Sequence, residues 1–351
     1  MRRLLAVVVP LLVFVACGKS STSNNPTVDA SPPLNGVDGG TPPLVGDKYT
    51  LVWGPVTVPP STEDTQCIVL KLSNTTDIKV HQLHNVLSTG SHHMIVYKDD
   101  KDTVEQPVPT HCQPFTGALN ATGMVAPMMI TQRVDDPLTL PDGVAYTLKA
   151  GQMIRIEMHY VNSGDAPIDV KGTTDFYAAD PATIHDEANI LFIGTPDIHL
   201  PPNSMMTVNQ FFTPSRAMLN LDNAKFFAIT GHTHKLGVDM NVNLAATKGG
   251  TKTPIYAPQP FQWSEPITAV FQPNEFQIPP GGGFDFKCTY DNTTSATVAF
   301  GEKTTDEMCF FWAYYYPSQG AHVCVHSDDH GGVDICCPES SLCSLLVPST
   351  P

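Results

Sequence analysis

The chain has 351 residues, 32 of them proline, and a formal charge of −15 from 34 acidic and 19 basic residues. An acidic chain without a basic stripe is a poor partner for nucleic acid, because phosphate contacts need Lys and Arg. Its length beyond any leader allows two domains of ordinary size.

Residues 1–16 begin with Arg2 and Arg3, continue as an apolar run from Leu4 to Ala16 broken by Pro10, and stop before Cys17-Gly18. A charged start, a short apolar core and a small residue before the cut describe a cleaved secretory signal, and the run is too short to span a bilayer. Cysteine at the cut points to an exported bacterial lipoprotein, lipidated on Cys17 and sorted to the outer membrane, with no other attachment to the membrane. Residues 17–47 are Ser, Asn, Pro, Gly and Asp with little to bury. They are expected to form a flexible tether reaching roughly 30 Å.

From Tyr49 the pattern changes to short apolar runs punctuated by turn pairs such as Asp142-Gly143 and Asn203-Ser204, with few helix signals. Strands are predicted at Tyr49 to Val58, Gln66 to Leu72, His92 to Tyr97, Gln152 to Val161, Phe226 to Thr230 running on into a His-x-His, Phe284 to Tyr290, Ala296 to Phe300 and Met308 to Tyr316. The class is all-β. A tail over 318–351 holds Cys324, Cys336, Cys337 and Cys343 among His322, His326 and His330. Of nine cysteines, those left after Cys17 are even in number, which in an exported chain implies disulfides. The four in the tail are expected to pair among themselves; the alternative, a zinc knuckle, fits the adjacent Cys336-Cys337 poorly.

The most informative motif is Gly231-His232-Thr233-His234. Side chains alternate along a strand, so His-x-His puts two imidazoles on one face with room for a third ligand. Met308, in Thr305-Asp306-Glu307-Met308-Cys309, is the candidate: soft sulfur beside imidazole suits a metal that rests as Cu(I), and neither zinc nor magnesium selects a thioether. His92-His93 and the later His159 offer three more imidazoles for a second copper. Consecutive residues point to opposite faces of a regular strand, so His92 and His93 can share a metal only at a bulge or a strand end. His81, His84, His111, His185 and His199 fit no ligand pattern.

Taken in order, His92-His93-Met94, His159-Tyr160, His232-Thr233-His234 and Glu307-Met308-Cys309 followed by Tyr314-Tyr315-Tyr316-Pro317 resemble the type II copper, ascorbate-dependent monooxygenases. This is the family of peptidylglycine alpha-hydroxylating and dopamine beta-monooxygenases, and the resemblance covers roughly residues 48 to 317. It implies two tandem antiparallel, jelly-roll-like β-sandwiches, 48–189 and 190–317, with one copper in each facing the other across a solvent-filled cleft. The copper of His232, His234 and Met308 would be the catalytic one, where O2 attacks an activated C–H bond. The copper of His92, His93 and His159 would store an electron from an external reductant such as ascorbate. The implied partners are thus a small-molecule substrate, O2 and an electron donor. The resemblance also implies disulfides Cys67–Cys112 and Cys288–Cys309, the second clamping the neighbour of Met308. Glu157 stands where the peptide-hydroxylating relative has glutamine.

The substrate pocket implied by the same resemblance involves Thr230, Phe310, Trp312 and Tyr314. The peptide enzyme anchors a carboxylate with arginine, asparagine and tyrosine where this chain has Thr230, Phe310 and Trp312, so peptides ending in glycine are not expected as substrates. The aromatics favour an apolar or aromatic substrate. The competing reading is a surface lipoprotein that binds or buffers copper without turnover.

Overall fold

The computed structural model describes residues 46–337 apart from 115–123 and 218. The expected signal, Cys17, the tether up to residue 45 and Cys343 lie outside the described residues. In chain order the first part holds β1 (Asp47–Val58), β2 (Thr62–Lys71), β3 (Ile78–Leu87), β4 (Ser91–Asp99), β5 (Gln106–His111), β6 (Val125–Thr131), β7 (Asp135–Thr139), β8 (Val144–Leu148), β9 (Met153–Asn162), β10 (Ile168–Ala179) and β11 (Asp186–Glu187). They form two sheets, one in the order β1-β10-β3-β8-β11 with β7 also on β3, the other β5-β2-β9-β4-β6.

The second part holds β12 (Asn189–Thr195), β13 (His199–Leu200), β14 (Ser204–Phe212), β15 (Lys225–His232), β16 (Gly237–Ala245), β17 (Lys252–Tyr256), β18 (Thr268–Val270), β19 (Gly283–Asn292), β20 (Val298–Ala299), β21 (Cys309–Tyr316), β22 (His322–Ser327) and β23 (Val333–Cys337). Its larger sheet runs β18-β15-β21-β12-β22-β23 and its smaller one β14-β19-β16-β17, with β13 and β20 as a separate ribbon. Alternation explains the simpler strands. In β16, Met240, Val242 and Leu244 are buried while Asp239, Asn241 and Asn243 between them are only partly covered, the period-two pattern of a half-buried strand.

β21 is different, because every residue of its Cys-Phe-Phe-Trp-Ala-Tyr-Tyr-Tyr run is buried. Cys309, Phe311, Ala313 and Tyr315 join the core of the second sandwich. Phe310, Trp312, Tyr314 and Tyr316, with Met308 just before them, belong to a cluster continuous with the core of the first. A strand covered on both faces reads as an unbroken apolar run, and each large side chain buried there contributes on the order of 2 kcal/mol. One polar tie crosses the same contact: the Ile130 N–H of β6 donates to the Tyr314 hydroxyl at 3.1 Å.

Disulfides join Cys67 to Cys112, Cys288 to Cys309 and Cys324 to Cys336, and Cys337 is also disulfide-bonded. Residues 322–337, set apart in the sequence as part of a tail, instead extend the second sandwich. β22 runs parallel to β12 and antiparallel to β23; Val323, Val325 and Ile335 are drawn in by the apolar cluster they help to bury.

Candidate copper centre

His92 and His93 open β4, which pairs with β9. The register slips between Ser91, opposite Tyr160, and His93, opposite His159, and leaves His92 as the extra residue of a bulge. That irregularity turns consecutive side chains to one side, as bulges beside functional sites do. The His92 and His93 rings lie 5.3 Å apart between centroids, and each is within 5.1 Å of the His159 ring.

β15 ends at His232, so His234 sits in the turn before β16 and the pair is not two steps along one strand face, as the sequence suggested. Their rings still meet at 5.2 Å, almost perpendicular. The turn is held by Glu307, whose carboxylate accepts from the His234 N–H at 2.9 Å and the Leu236 N–H at 2.7 Å. Burial pushes this carboxyl up to about 7, with the backbone donors opposing the rise. β15 and β21 pair His232 with Phe310 and Thr230 with Trp312, and His234 bonds to Asp306 and Glu307, the two residues just before Met308. Met308 is buried, follows Glu307 directly, accepts at its carbonyl from the Tyr290 hydroxyl at 2.6 Å, and adjoins the Cys288–Cys309 bridge. Gly231 has no Cβ to strike Met240 and Tyr256 beneath it.

The two ligand sets are not separated by a solvent-filled cleft. His92 lies 6.0 Å from His232 and 5.9 Å from His234, and His93 lies 6.2 Å from His232, between ring centroids. All five imidazoles are at most 7 % exposed. Closure follows from the apolar face of β21 and from polar ties across the join. His232 Nδ1 contacts Gln132 Oε1 at 3.1 Å, and Glu63 on β2 accepts from Thr304 N at 2.9 Å and Thr304 Oγ1 at 3.0 Å.

The ring partners fix the tautomers. A carboxylate, a carbonyl and an amide oxygen can only accept, so the proton sits on His159 Nε2 facing Glu63 Oε1 (3.0 Å), on His234 Nδ1 facing the Asp306 carbonyl (3.1 Å), and on His232 Nδ1 facing Gln132. The opposite nitrogens keep their lone pairs, the arrangement in which an outer hydrogen bond orients a metal-binding imidazole. Burial and the neighbouring rings hold His92, His93 and His232 well below the ordinary imidazole range, and burial takes His234 to about 4. Burial of Glu63 resists ionisation, yet its bonds to His159 and Thr304 outweigh this and hold it at about 2.

These residues fit copper by their chemistry: buried imidazoles on both sides of the join and the buried thioether of Met308, next to Glu307, which bonds the His234 N–H. His92 Nε2 and His232 Nε2 are buried with no hydrogen-bond partner among the described residues, a vacancy in bonding that a metal ion satisfies. Among the described residues no three His, Cys, Asp or Glu side chains are already spaced around one ion.

Of the residues expected to contact substrate, Thr230 bonds to Thr268 at 2.8 Å and Phe310 stacks on Phe192 at 4.9 Å. Tyr314 bonds to β6, and Trp312 lies 6.0 Å from His232. All four are buried. A cavity of about 430 Å³ opens instead beside His92, walled by Ser91, Gln132, Arg133, Lys235 and Trp263. Glu157 is buried and accepts from the Tyr97 hydroxyl at 2.9 Å. In the tail, His326 lies between Asp334 and Asp328, which raise it above the ordinary imidazole range, and Cys324 and Cys336 are engaged by their disulfide.

Sequence reasoning did not find Glu63, Gln132 or Thr304. Glu63 stands opposite Val161 in the β2–β9 ladder, which makes His159 its diagonal neighbour. That relation exists only once the register is known.

Residues 186–333 match the model of the copper type II ascorbate-dependent monooxygenase C-terminal domain. The chain is 28 % identical over 190 residues to a tyramine beta-hydroxylase of Caenorhabditis briggsae, an alignment covering 49 % of this chain and 30 % of that protein. The chain thus aligns with under a third of this relative's length. Among solved structures, infectious bursal disease virus of the Gx strain overlaps 78 % of this chain and 71 % of its own at 9 % identity and a TM-score of 0.20, and the Gt strain does so at 0.19. Such overlap is too slight to bear on fold or function. Over residues 186–333 the chain is thus similar to the C-terminal domain of the copper type II, ascorbate-dependent monooxygenases, and the stretch includes His232, His234 and Met308.

Proposed function

We propose that the chain is a copper-dependent monooxygenase that hydroxylates an activated C–H bond of a small organic substrate with O2 and an external one-electron donor. The observation that supports this reading is the meeting of two sets of imidazoles in one buried cluster: His92, His93 and His159 on β4 and β9, and His232 and His234 at the end of β15, with the buried Met308 next to Glu307, which bonds the His234 N–H. His92, His93 and His159 would hold one copper, and His232, His234 and Met308 the other. Bound copper supplies one-electron redox chemistry and the activation of O2.

The residues supply the rest. Glu63, Asp306 and Gln132 orient the imidazoles, while β21 and the Tyr314 tie exclude water from the join. A buffering lipoprotein needs neither two unlike sets nor fixed tautomers. The proposed enzyme is exported and held by a lipid on Cys17, an expectation carried by residues 1–17 alone.

Thr230, Phe310 and Trp312 stand where the peptide-hydroxylating relative anchors a carboxylate and none of them is cationic, so the reading excludes peptides ending in glycine and favours substrates with an apolar or aromatic body. The test is oxygen uptake by copper-loaded, ascorbate-reduced protein with a set of phenethylamines beside a set of peptidylglycines. Uptake with the amines supports the reading; robust, carboxylate-dependent hydroxylation of the peptides contradicts the substrate class. Stoichiometric copper binding with no substrate-dependent uptake across a broad panel would favour buffering.

A further inference from the structure

We propose that the cavity beside His92 docks the electron donor, and that the donor is a small planar anion of the enediolate class to which ascorbate belongs; this rests on the copper reading above. The cavity, of about 430 Å³, falls in the range of roughly 300–1,000 Å³ typical of small-molecule sites. It is built to hold something polar. Gln132 is 4 % exposed, its Oε1 is engaged by His232, and its Nε2 donor has no partner among the described residues; the Ser91 hydroxyl on the same wall is buried and likewise unpartnered. Buried donors of this kind are normally satisfied by a ligand or ordered solvent.

Charge and shape select the ligand. Arg133 and Lys235 both line the cavity, against one carboxylate, Glu265. Two cations lining one cavity are uncommon on a chain of net charge −15, and no salt bridge of either is found among the described residues, though Arg133 also acts on Asp136. The Trp263 ring, 5.8 Å from the His92 ring, offers a flat surface to a planar body. Position then assigns the role. The cavity reaches His92, a member of the three-imidazole set, and none of Thr230, Phe310, Trp312 or Tyr314 lines it. On docking, the enediolate monoanion would give up one electron to a Cu(II) ion that His92, His93 and His159 would hold, release its remaining hydroxyl proton to solvent and depart as the radical anion, with Arg133 and Lys235 seating its charge.

The test compares the full-length, copper-loaded chain with a variant carrying Arg133→Gln and Lys235→Gln together. Anaerobic loss of the Cu(II) paramagnetic signal is followed with ascorbate and with hydroquinone, a planar donor without charge. The ratio of ascorbate to hydroquinone rates should fall about tenfold in the variant at low salt, and less as salt screens the wild type. Binding is read separately, by saturation-transfer NMR of ascorbate on protein already loaded with Cu(I), where no electron can pass; the wild-type signal should be lost in the double variant and in Trp263→Leu. An unchanged rate ratio, an equal slowing of both donors, or displacement of bound ascorbate by tyramine would overturn the proposal while leaving the copper reading intact. A wild-type chain that takes up no copper would overturn both.

Discussion

Glu63 holds His159: its Oε1 lies 3.0 Å from His159 Nε2 while the same carboxylate accepts both donors of Thr304, four residues before Met308. One side chain on β2 thus orients the His159 imidazole and ties it to the segment that leads into Met308. Glu63→Ala should weaken copper binding at the His92, His93 and His159 set by about 10- to 100-fold, the usual cost of losing an outer-shell partner. Glu63→Gln, which can still accept from Thr304, should lose less. Competition against a chelator measures both, and wild-type affinity in Glu63→Ala would show that His159 is held by something else.

Met308 should be replaceable without loss of the fold, because isoleucine fills a comparable apolar volume. Met308→Ile is expected to keep copper on the three-imidazole set, to lose the copper–sulfur component in X-ray absorption of the reduced protein, and to abolish hydroxylation. A variant that retains the sulfur signal or turns over normally would make Met308 a packing residue.

The Cys288–Cys309 bridge closes a separation of 21 residues next to Met308. Replacing both cysteines by serine should lower unfolding free energy by about 3 kcal/mol, the entropy a loop of that length regains, and should loosen the copper held by Met308 more than the other. Denaturant unfolding of the metal-free protein isolates the first effect, which is refuted if the midpoint does not move.

Asp136 gives a pH dependence of defined sign. Burial raises its carboxyl from 3.8 to about 6, against the opposing pull of Arg133 and Thr131. Its protonated form fits the fold better, so its contribution is fully present below about 3.8 and is lost as pH climbs through about 6. Asp136→Asn should therefore be more stable than wild type at pH 7.5, by roughly 1–3 kcal/mol at the standard conversion of a pKa shift, and equal to it near pH 3.5. Urea unfolding at both pH values decides this, and a variant less stable than wild type at pH 7.5 would reverse the argument.

The all-β class was legible from local patterns, turn pairs and period-two alternation, whereas His92, His93 and His159 were grouped only through the family resemblance. What escaped is set by pairing between distant strands. The bulge that lets His92 and His93 share a side arises from the register of β4 on β9, and the reach of Glu63 to His159 from that of β2 on β9. The turn at His234 replaced the continuous strand expected there, because Glu307 gathers the N–H groups of His234 and Leu236. The closed join was half-readable. Phe310 to Tyr316 is too continuously apolar for a strand with one wet face, and the structure places its second face on the first sandwich.

Paramagnetic resonance of the fully Cu(II)-loaded protein, quantified against total copper, tests most directly whether the two buried sets of imidazoles hold one copper each. Ions gripped by rings whose centroids lie 5.9 to 6.2 Å apart across the join should number two per chain and broaden each other's signals, and His159→Ala should remove one ion and sharpen the other's spectrum. A stoichiometry of one, or two sharp signals that do not respond to each other's removal, would contradict that assignment.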